Sequence, residues 1–350
     1  MDRLVRLHLL FFTALWPLLG AASIAHDLTI GELAALAGVA LSFHVYAYVL
    51  NDVIDLPIDR TEPARQHDLL VSGAVRPSHA LWLALAQPPL ALALTTRLDA
   101  RPGAYVTLAA AFALMGAYNL WGKRCPLPPA TDAAQGLAWA CLAIYATQAL
   151  GAAPGVLTWM VAAYATVYIV WINGIHGGLR DLGNDRARSA RTTAVFFGAR
   201  PLPDGRGAYV PPAMQVYAWL ILALLVALNA AFMLRNDFEY GRFTWVVTAA
   251  VVTTVNAVAL LLQPHVMRPR GPSIDVAWRL QMYVVMLSLP AAFAARADAG
   301  ASILLALLIA LSLALFDTTA AVVRWMSFAW RPASAPAAGE ALHARTPPID

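Results

Sequence analysis

Apolar residues fall along this chain in long blocks separated by polar connections. Blocks of ~20 mostly apolar residues, the length a helix needs to cross a bilayer, lie near 8–25, 32–50, 79–96, 103–121, 133–150, 155–176, 212–234, 243–263, 277–295 and 300–323. They predict an all-α fold, a multi-pass transmembrane helical bundle of nine or ten helices, with Arg279 and Pro290 interrupting the ninth block. Arg3 and Arg6 ahead of the first block also suit a signal peptide. Nothing downstream reads as a secreted domain, so a retained helix is expected.

Composition agrees with the blocks. Only 13% of the 350 residues are charged and 60% are hydrophobic, whereas a soluble domain carries about 25% charged residues. That excludes disorder, a coiled coil and an ordinary cytosolic enzyme, and it makes the bilayer the expected surroundings. The formal net charge of +4 is modest and implies no nucleic-acid partner. Cys125 and Cys141 give neither a disulfide framework nor metal-ligand spacing. With ten passes and both termini on one side, the other side receives only Arg97, Arg101, Arg235, Arg242 and Arg296 of the 24 Lys and Arg residues. The rich side is therefore expected to be cytoplasmic, in the cytoplasmic membrane of a bacterium. The Pro- and Ala-rich stretch 331–350 is expected to be a disordered tail.

The acids are unevenly spread. Two connections, 51–78 and 177–211, are long and polar, and both fall on the expected cytoplasmic side. The first places Asp52, Asp55, Asp59, Glu62 and Asp68 within 17 positions, five of the chain's 20 acids. The pattern DLxxDRxxxAR occurs at Asp55–Arg65 and again at Asp181–Arg191, 126 residues apart, each time where a hydrophobic helix ends. An internal repeat of this kind suggests one membrane domain over 1–325 made of two related four-helix halves, about 1–125 and 126–265, with extra helices at 275–325.

Helical spacing lines His44, Tyr48, Asn51 or Asp52, Asp55 and Asp59 into one polar stripe, with Pro57 breaking or ending the helix near its end. Asn173, Gly177, Asp181 and Asp185 form a second, with His176 and Arg180 beside it. Carboxylates four residues apart at a helix C-terminus repel each other and meet the negative end of the macrodipole. A multivalent cation would relieve both costs, and the oxygen-only donor set suits Mg²⁺. Arg60, Arg65, Arg186 and Arg191 offer planar forks for the phosphate oxygens that such a metal bridges. Acids for metal and guanidiniums for phosphate, at the mouth of an apolar bundle, describe a site for a lipid diphosphate.

At Asn51-Asp52-Val53-Ile54-Asp55-Leu56-Pro57-Ile58-Asp59 the chain resembles the UbiA superfamily of intramembrane prenyltransferases, whose first acidic motif is NDxxDxxxD. Ser72 and Gly73 resemble the family's PSG segment, with Val71 in place of the Pro. The second motif, DxxDxxxD, is matched by Asp181 and Asp185, while Gly178 replaces its first acid. The run from Leu179 to Arg186 followed by RTTAVFFGAR resembles the menaquinone-type branch. Tyr118 and Lys123 resemble the family's Tyr–Lys pair, one residue further apart than usual.

The resemblance implies a bundle of about nine helices that uses Mg²⁺ to ionise a prenyl diphosphate and passes the allylic cation to a small acceptor, an aromatic or quinone precursor. Carried over position by position, it implies Asn51, Asp52, Asp55, Asp59, Asp181 and Asp185 as metal ligands, with Asp55, Asp181 and Lys123 as the catalytic candidates. It further implies Arg65, Lys123 and Arg191 against the diphosphate with Tyr118 close by, and Phe43, Tyr46, Tyr48 and Trp171 as aromatics near the cation. Arg180 is a candidate for substrate contact or for a pair with Asp181, and His44 and His176 are candidates for substrate contact or for packing. A terpene cyclase on the same fold and a membrane transporter are the competing functions.

Overall fold

A computed structural model of the chain describes residues 2–61, 65–203, 207–235, 240–268, 274–294 and 296–315, so the expected tail at 331–350 lies outside the described residues. A short α1 (Asp2–Val5) precedes α2 (Leu10–Ser23), α3 (Ile30–Asp59), α4 (Pro77–Leu85), α5 (Gln87–Thr95), α6 (Pro102–Trp121), α7 (Pro128–Ala149) and α8 (Val156–Trp171). A π-helical turn, Ile172–Gly177, leads into α9 (Gly178–Arg180), α10 (Leu182–Ala187) and α11 (Thr193–Phe196). A two-residue hairpin, β1 (Arg200–Pro201) with β2 (Ala208–Tyr209), is followed by α12 (Pro212–Met233), α13 (Arg242–Val266), α14 (Ile274–Phe293) and α15 (Ala299–Leu315). The protein is an all-α integral membrane protein. Among the described residues five helices are long and apolar enough to cross a membrane: Ile30–Asp59, Pro102–Trp121, Val156–Arg180, Pro212–Met233 and Arg242–Val266.

Local sequence explains where these helices begin. Thr29 and Glu32 form a reciprocal capping box at the start of α3, with Glu32 N–H donating to Thr29 Oγ1 at 3.2 Å and Thr29 N–H to Glu32 Oε2 at 2.8 Å. Proline opens α4, α6, α7 and α12, where its missing N–H costs no helical bond.

Proline also accounts for two departures from the expected pattern. The block at 79–96, expected as one helix, is split between α4 and α5 at Ala86. Pro88 and Pro89 cannot donate to the carbonyls of Ala84 and Leu85, so the ladder is interrupted there. Pro57, by contrast, does not stop α3, which runs two residues further to Asp59. Asn51, Asp52, Asp55 and Asp59 therefore share one continuous helix.

A third departure lies in the second motif. An α-helical stripe through Asn173, Gly177, Asp181 and Asp185 does not form, because Ile172–Gly177 is π-helical and Asp181 leaves the helix at φ −93, ψ 4. The wider turn changes the phase of every residue after it.

Helices approach closely where side chains are absent. A Cβ on Gly20 of α2 would stand 2.3 Å from the Ala143 carbonyl oxygen of α7, and one on Gly136 of α7 would stand 2.5 Å from that of Thr166 on α8. Small residues set such approaches in membrane bundles. Gly20→Val and Gly136→Val are each expected to cost about 1–3 kcal/mol by overpacking, read as a fall in the thermal unfolding midpoint in detergent. An unchanged midpoint would mean that the helices are not held at this distance.

The bundle has two distinct ends. At one, the C-termini of α3 and α6 meet the start of α7 and the α8–α11 connection. At the other, Arg101 N–H donates to the Gln148 carbonyl at 3.0 Å and Arg296 Nε to the Ala22 carbonyl at 3.4 Å. Arg101 and Arg296 thus lie away from the acids.

Candidate active site

The last turns of α3 present their acids to cations delivered by three separate segments. Asp55, 7% exposed, accepts from Lys123 Nζ at 2.9 Å, in the turn that follows α6. Asp52 pairs with Arg6, which lies between α1 and α2. Asp59 pairs with Arg65, whose Nε also lies 3.7 Å from Asp68. Across the mouth, Arg180 forks onto Asp181 with two bonds of 2.8 Å. Arg191 N–H donates to the Lys123 carbonyl at 2.9 Å, so the loop after α10 is tied to the backbone of the residue that holds Asp55.

Lys123 is the point where the two acidic motifs meet. Desolvation works to lower its pKa, but the charges of Asp55, Asp185 and Asp59 outweigh it and raise the ammonium above its ordinary value. Desolvation also works to raise Asp181, yet the Arg180 fork and the charge of Lys123 hold its carboxyl below the usual range. Asp185 behaves oppositely. Only 2% exposed, it is pushed up to about 6 by burial, against the pull of Lys123.

A protonated carboxyl is a poor ligand for a hard cation. If Asp185 binds Mg²⁺, proton and metal compete below pH 6 and not above it. The apparent Mg²⁺ affinity is expected to fall as pH drops through 6, by up to about tenfold per unit, and to level off above pH 7. Calorimetric titration of Mg²⁺ from pH 5 to 8 checks this, and a flat profile would remove Asp185 from the ligand set.

Among the described residues no three His, Cys, Asp or Glu side chains converge as a ready metal cage. The acids stand apart because each of Asp52, Asp55, Asp59 and Asp181 is held by its own cation. The donor set itself is all oxygen, five carboxylates and the Asn51 carboxamide, and it fits Mg²⁺ in kind. The basic partners on these acids carry the charge that a dication would take over.

The other expected residues separate into two groups. Arg60, Arg186 and Arg191 are exposed at the mouth and form no ion pair among the described residues. Tyr118 is half-buried, and its hydroxyl accepts from Asn173 Nδ2 at 2.6 Å.

The two histidines belong to the packing. His44 Nδ1 lies 2.7 Å from Thr13 Oγ1, and its Nε2 lies 2.9 Å from the Val5 carbonyl and 3.1 Å from that of Arg6. It fastens the N-terminal segment to α3 and so keeps Arg6 within reach of Asp52. His176 Nε2 lies 3.1 Å from Gln281 Oε1, with its ring 4.3 Å from Trp171. In an apolar bundle such partners offset the cost of burying an imidazole.

Of the four aromatics, Phe43 and Trp171 are fully buried. Phe43 packs edge-on against Phe112 and Trp139, and Trp171 lies against Tyr168 and His176. Tyr46, 8% exposed, packs edge-on against Phe112 as well. Tyr48 carries the Arg6 guanidinium over its ring at 5.3 Å.

Three residues not expected from the sequence join the site, Arg6, Asp132 and Thr193, and Asn173 of the expected second stripe joins it through Tyr118 and Asp132. Asp132 accepts from Asn173 Nδ2 at 2.9 Å and from the Thr193 hydroxyl. One signal was available, because Asp132 is the only acid between Asp99 and Asp181.

A family model described as the UbiA prenyltransferase family matches residues 10–264. A UbiA homologue from Aeropyrum pernix K1 superposes with a TM-score of 0.59 at 18% identity, covering 81% of this chain and 96% of that one. A digeranylgeranylglyceryl phosphate synthase gives 0.60 at 15% identity, covering 84% and 96%. An Archaeoglobus fulgidus UbiA homologue, solved with GPP and Mg²⁺, gives 0.58 at 16% identity, covering 84% and 98%. Comparison with curated proteins returns no significant match. At these identities the superpositions speak for the fold, and the match over most of the sequence speaks for the family. The chain belongs to the UbiA prenyltransferase family.

Proposed function

We propose that this protein is an intramembrane, Mg²⁺-dependent prenyltransferase that moves an isoprenyl group from its diphosphate to an aromatic or quinone-precursor acceptor. The observation that carries this reading is the meeting of two acidic motifs on one ammonium, Lys123, at the mouth of an apolar bundle. The Archaeoglobus homologues solved with GPP or DMAPP and Mg²⁺ support it, as does the menaquinone-like run after Leu179 for the class of acceptor. The mouth and both termini are assigned to the cytoplasmic side of a bacterial membrane, in keeping with the arginine distribution.

In the proposed reaction the allylic C–O bond breaks with its electron pair staying on the diphosphate. The π electrons of the acceptor then capture the carbon cation, and a proton leaves the acceptor. Mg²⁺, when held by Asn51, Asp52, Asp55, Asp59, Asp181 and Asp185, supplies positive charge to the departing diphosphate. Lys123, Arg65 and Arg191 bring fixed cations to the same oxygens, where they count for more as negative charge develops. Tyr118 donates its hydroxyl to them. The apolar helices hold the prenyl tail, at ~0.8 kcal/mol per buried CH₂.

Purified protein given Mg²⁺ and prenyl diphosphates of several lengths, with and without aromatic acceptors, tests the proposal by mass spectrometry of the products. A prenylated acceptor is expected. A hydrocarbon formed without acceptor would make the protein a cyclase, and no turnover with any donor would leave a carrier.

A further inference from the structure

We infer that Asp132, acting through Asn173, is a positioning residue that aims the Tyr118 hydroxyl at the diphosphate. The inference rests on reading the mouth as a diphosphate site.

Asp132 is 5% exposed and touches no cation among the described residues, unlike Asp52, Asp55, Asp59 and Asp181. A carboxylate buried among neutral donors is costly unless the surrounding bonds require it. Its two oxygens are both used: Oδ1 accepts from Asn173 Nδ2 at 2.9 Å, and Oδ2 accepts from the hydroxyl of Thr193, itself 1% exposed. The Asn173 amide has two hydrogens and spends both, the second on Tyr118 Oη at 2.6 Å. The rotamer of Asn173 is therefore set by Asp132, and the amide hydrogen that reaches Tyr118 is set by Asn173.

This order fixes which way the phenol can donate. Its oxygen is already accepting, so its own proton must point elsewhere, and no other described residue takes it. The Tyr118 ring lies over Gly122, where an added Cβ would stand 3.2 Å from Tyr118 Cε2, and the next residue is Lys123. Tyr118, in the last turn of α6, and Lys123, just past it, thus issue from the same helix end, and in the proposed arrangement both donors serve the same anionic oxygens.

The backbone is shaped to allow this. A Cβ on Gly174 would stand 2.7 Å from Asp132 Oδ2, so the carboxylate fits only against a bare backbone. Asn173 and Gly174 both lie in the π-helical turn, a rare conformation that recurs at functional sites. A polar bridge serving only to join α7, the π turn after α8 and α11 would need the Asp132–Asn173 and Asp132–Thr193 bonds but not the Asn173–Tyr118 bond.

The test is calorimetric binding of inorganic pyrophosphate with Mg²⁺ to the full chain in detergent. Tyr118→Phe and Asp132→Ala are each expected to weaken binding about tenfold, the loss of one hydrogen bond to a charged group. The double variant is expected to be no weaker than Tyr118→Phe alone, because both changes remove one device. Asp132→Asn can still accept from Asn173 and is expected within about threefold of wild type. Asn173→Ala, which leaves Asp132 and Thr193 in place, repeats the Asp132→Ala loss if that variant folds poorly.

Wild-type binding by Asp132→Ala overturns the inference. So does a double variant whose losses multiply, an Asp132→Asn as weak as Asp132→Ala, or a wild-type chain that binds no pyrophosphate. The expected pattern in a chain that transfers no prenyl group would leave the inference standing and sink the transferase reading instead.

Discussion

Asp55→Ala is expected to lower diphosphate release from a prenyl diphosphate by about a thousandfold, the scale of removing a principal electrostatic contact from a transition state. Two losses combine at this position. Asp55 is a proposed metal ligand, and it is also the acid that holds Lys123 Nζ at 2.9 Å. Removing it takes one negative donor from the metal and frees the ammonium from its set position. Asp55→Asn keeps the shape and loses the charge, so it is expected to be nearly as damaged.

Asp181→Ala differs in kind, since Asp181 is 49% exposed and its nearest partner is the neighbouring Arg180. Its defect is expected to be partly overcome by raising Mg²⁺, whereas that of Asp55→Ala is not. The measurement is pyrophosphate release across a Mg²⁺ series, with thermal midpoints showing that the variants fold. An Asp55→Ala enzyme that keeps more than a tenth of wild-type turnover at any Mg²⁺ level would remove the metal role from the first motif.

The contrast between these two acids also shows what was legible in the sequence. Both lie in the same repeated string, and spacing alone gives them equivalent places. Asp55 keeps its expected place because α3 is a regular helix through Asp59, so residues four apart share a face. Asp181 does not, because a π turn precedes it, and no residue pattern in Ile172–Gly177 marks the extra width.

Pairing was harder to read than placement. That Arg65 faces the acids follows from its closeness in sequence. Arg6 reaches Asp52 across the fold, where His44 ties the carbonyls of Val5 and Arg6 to the middle of α3, a contact spanning 39 and 38 positions. The histidines were visible as intramembrane polar residues, but their partners, Thr13 and Gln281, lie on other helices that carry no motif. Asp132 was visible as an isolated acid, and only the tertiary fold brings Asn173 and Thr193 to it. The helices themselves were legible from apolar blocks, since length and hydropathy decide what can cross a bilayer.

Lys123→Met is the second large effect, and it separates two quantities that usually move together. Lys123 faces Asp55, Asp185 and Asp59, so before substrate arrives its ammonium competes with any dication for the same acids. Removing the charge leaves those acids less neutralised. Mg²⁺ alone is then expected to bind about tenfold more tightly to Lys123→Met than to wild type, since a like charge nearby opposes a cation even at high effective dielectric. Turnover is expected to move the other way, falling about a hundredfold at saturating Mg²⁺, because a cation proposed to face the departing diphosphate is gone. Lys123→Arg keeps the charge but replaces a compact ammonium with a planar fork, and it is expected to recover the wild-type Mg²⁺ affinity with only part of the turnover. Titration of Mg²⁺ without substrate and pyrophosphate release with it give the two readings from one preparation. Parallel losses of metal affinity and turnover would mean that Lys123 supports the metal instead of competing with it. The two motifs would then need another point of contact than the ammonium between Asp55 and Asp185.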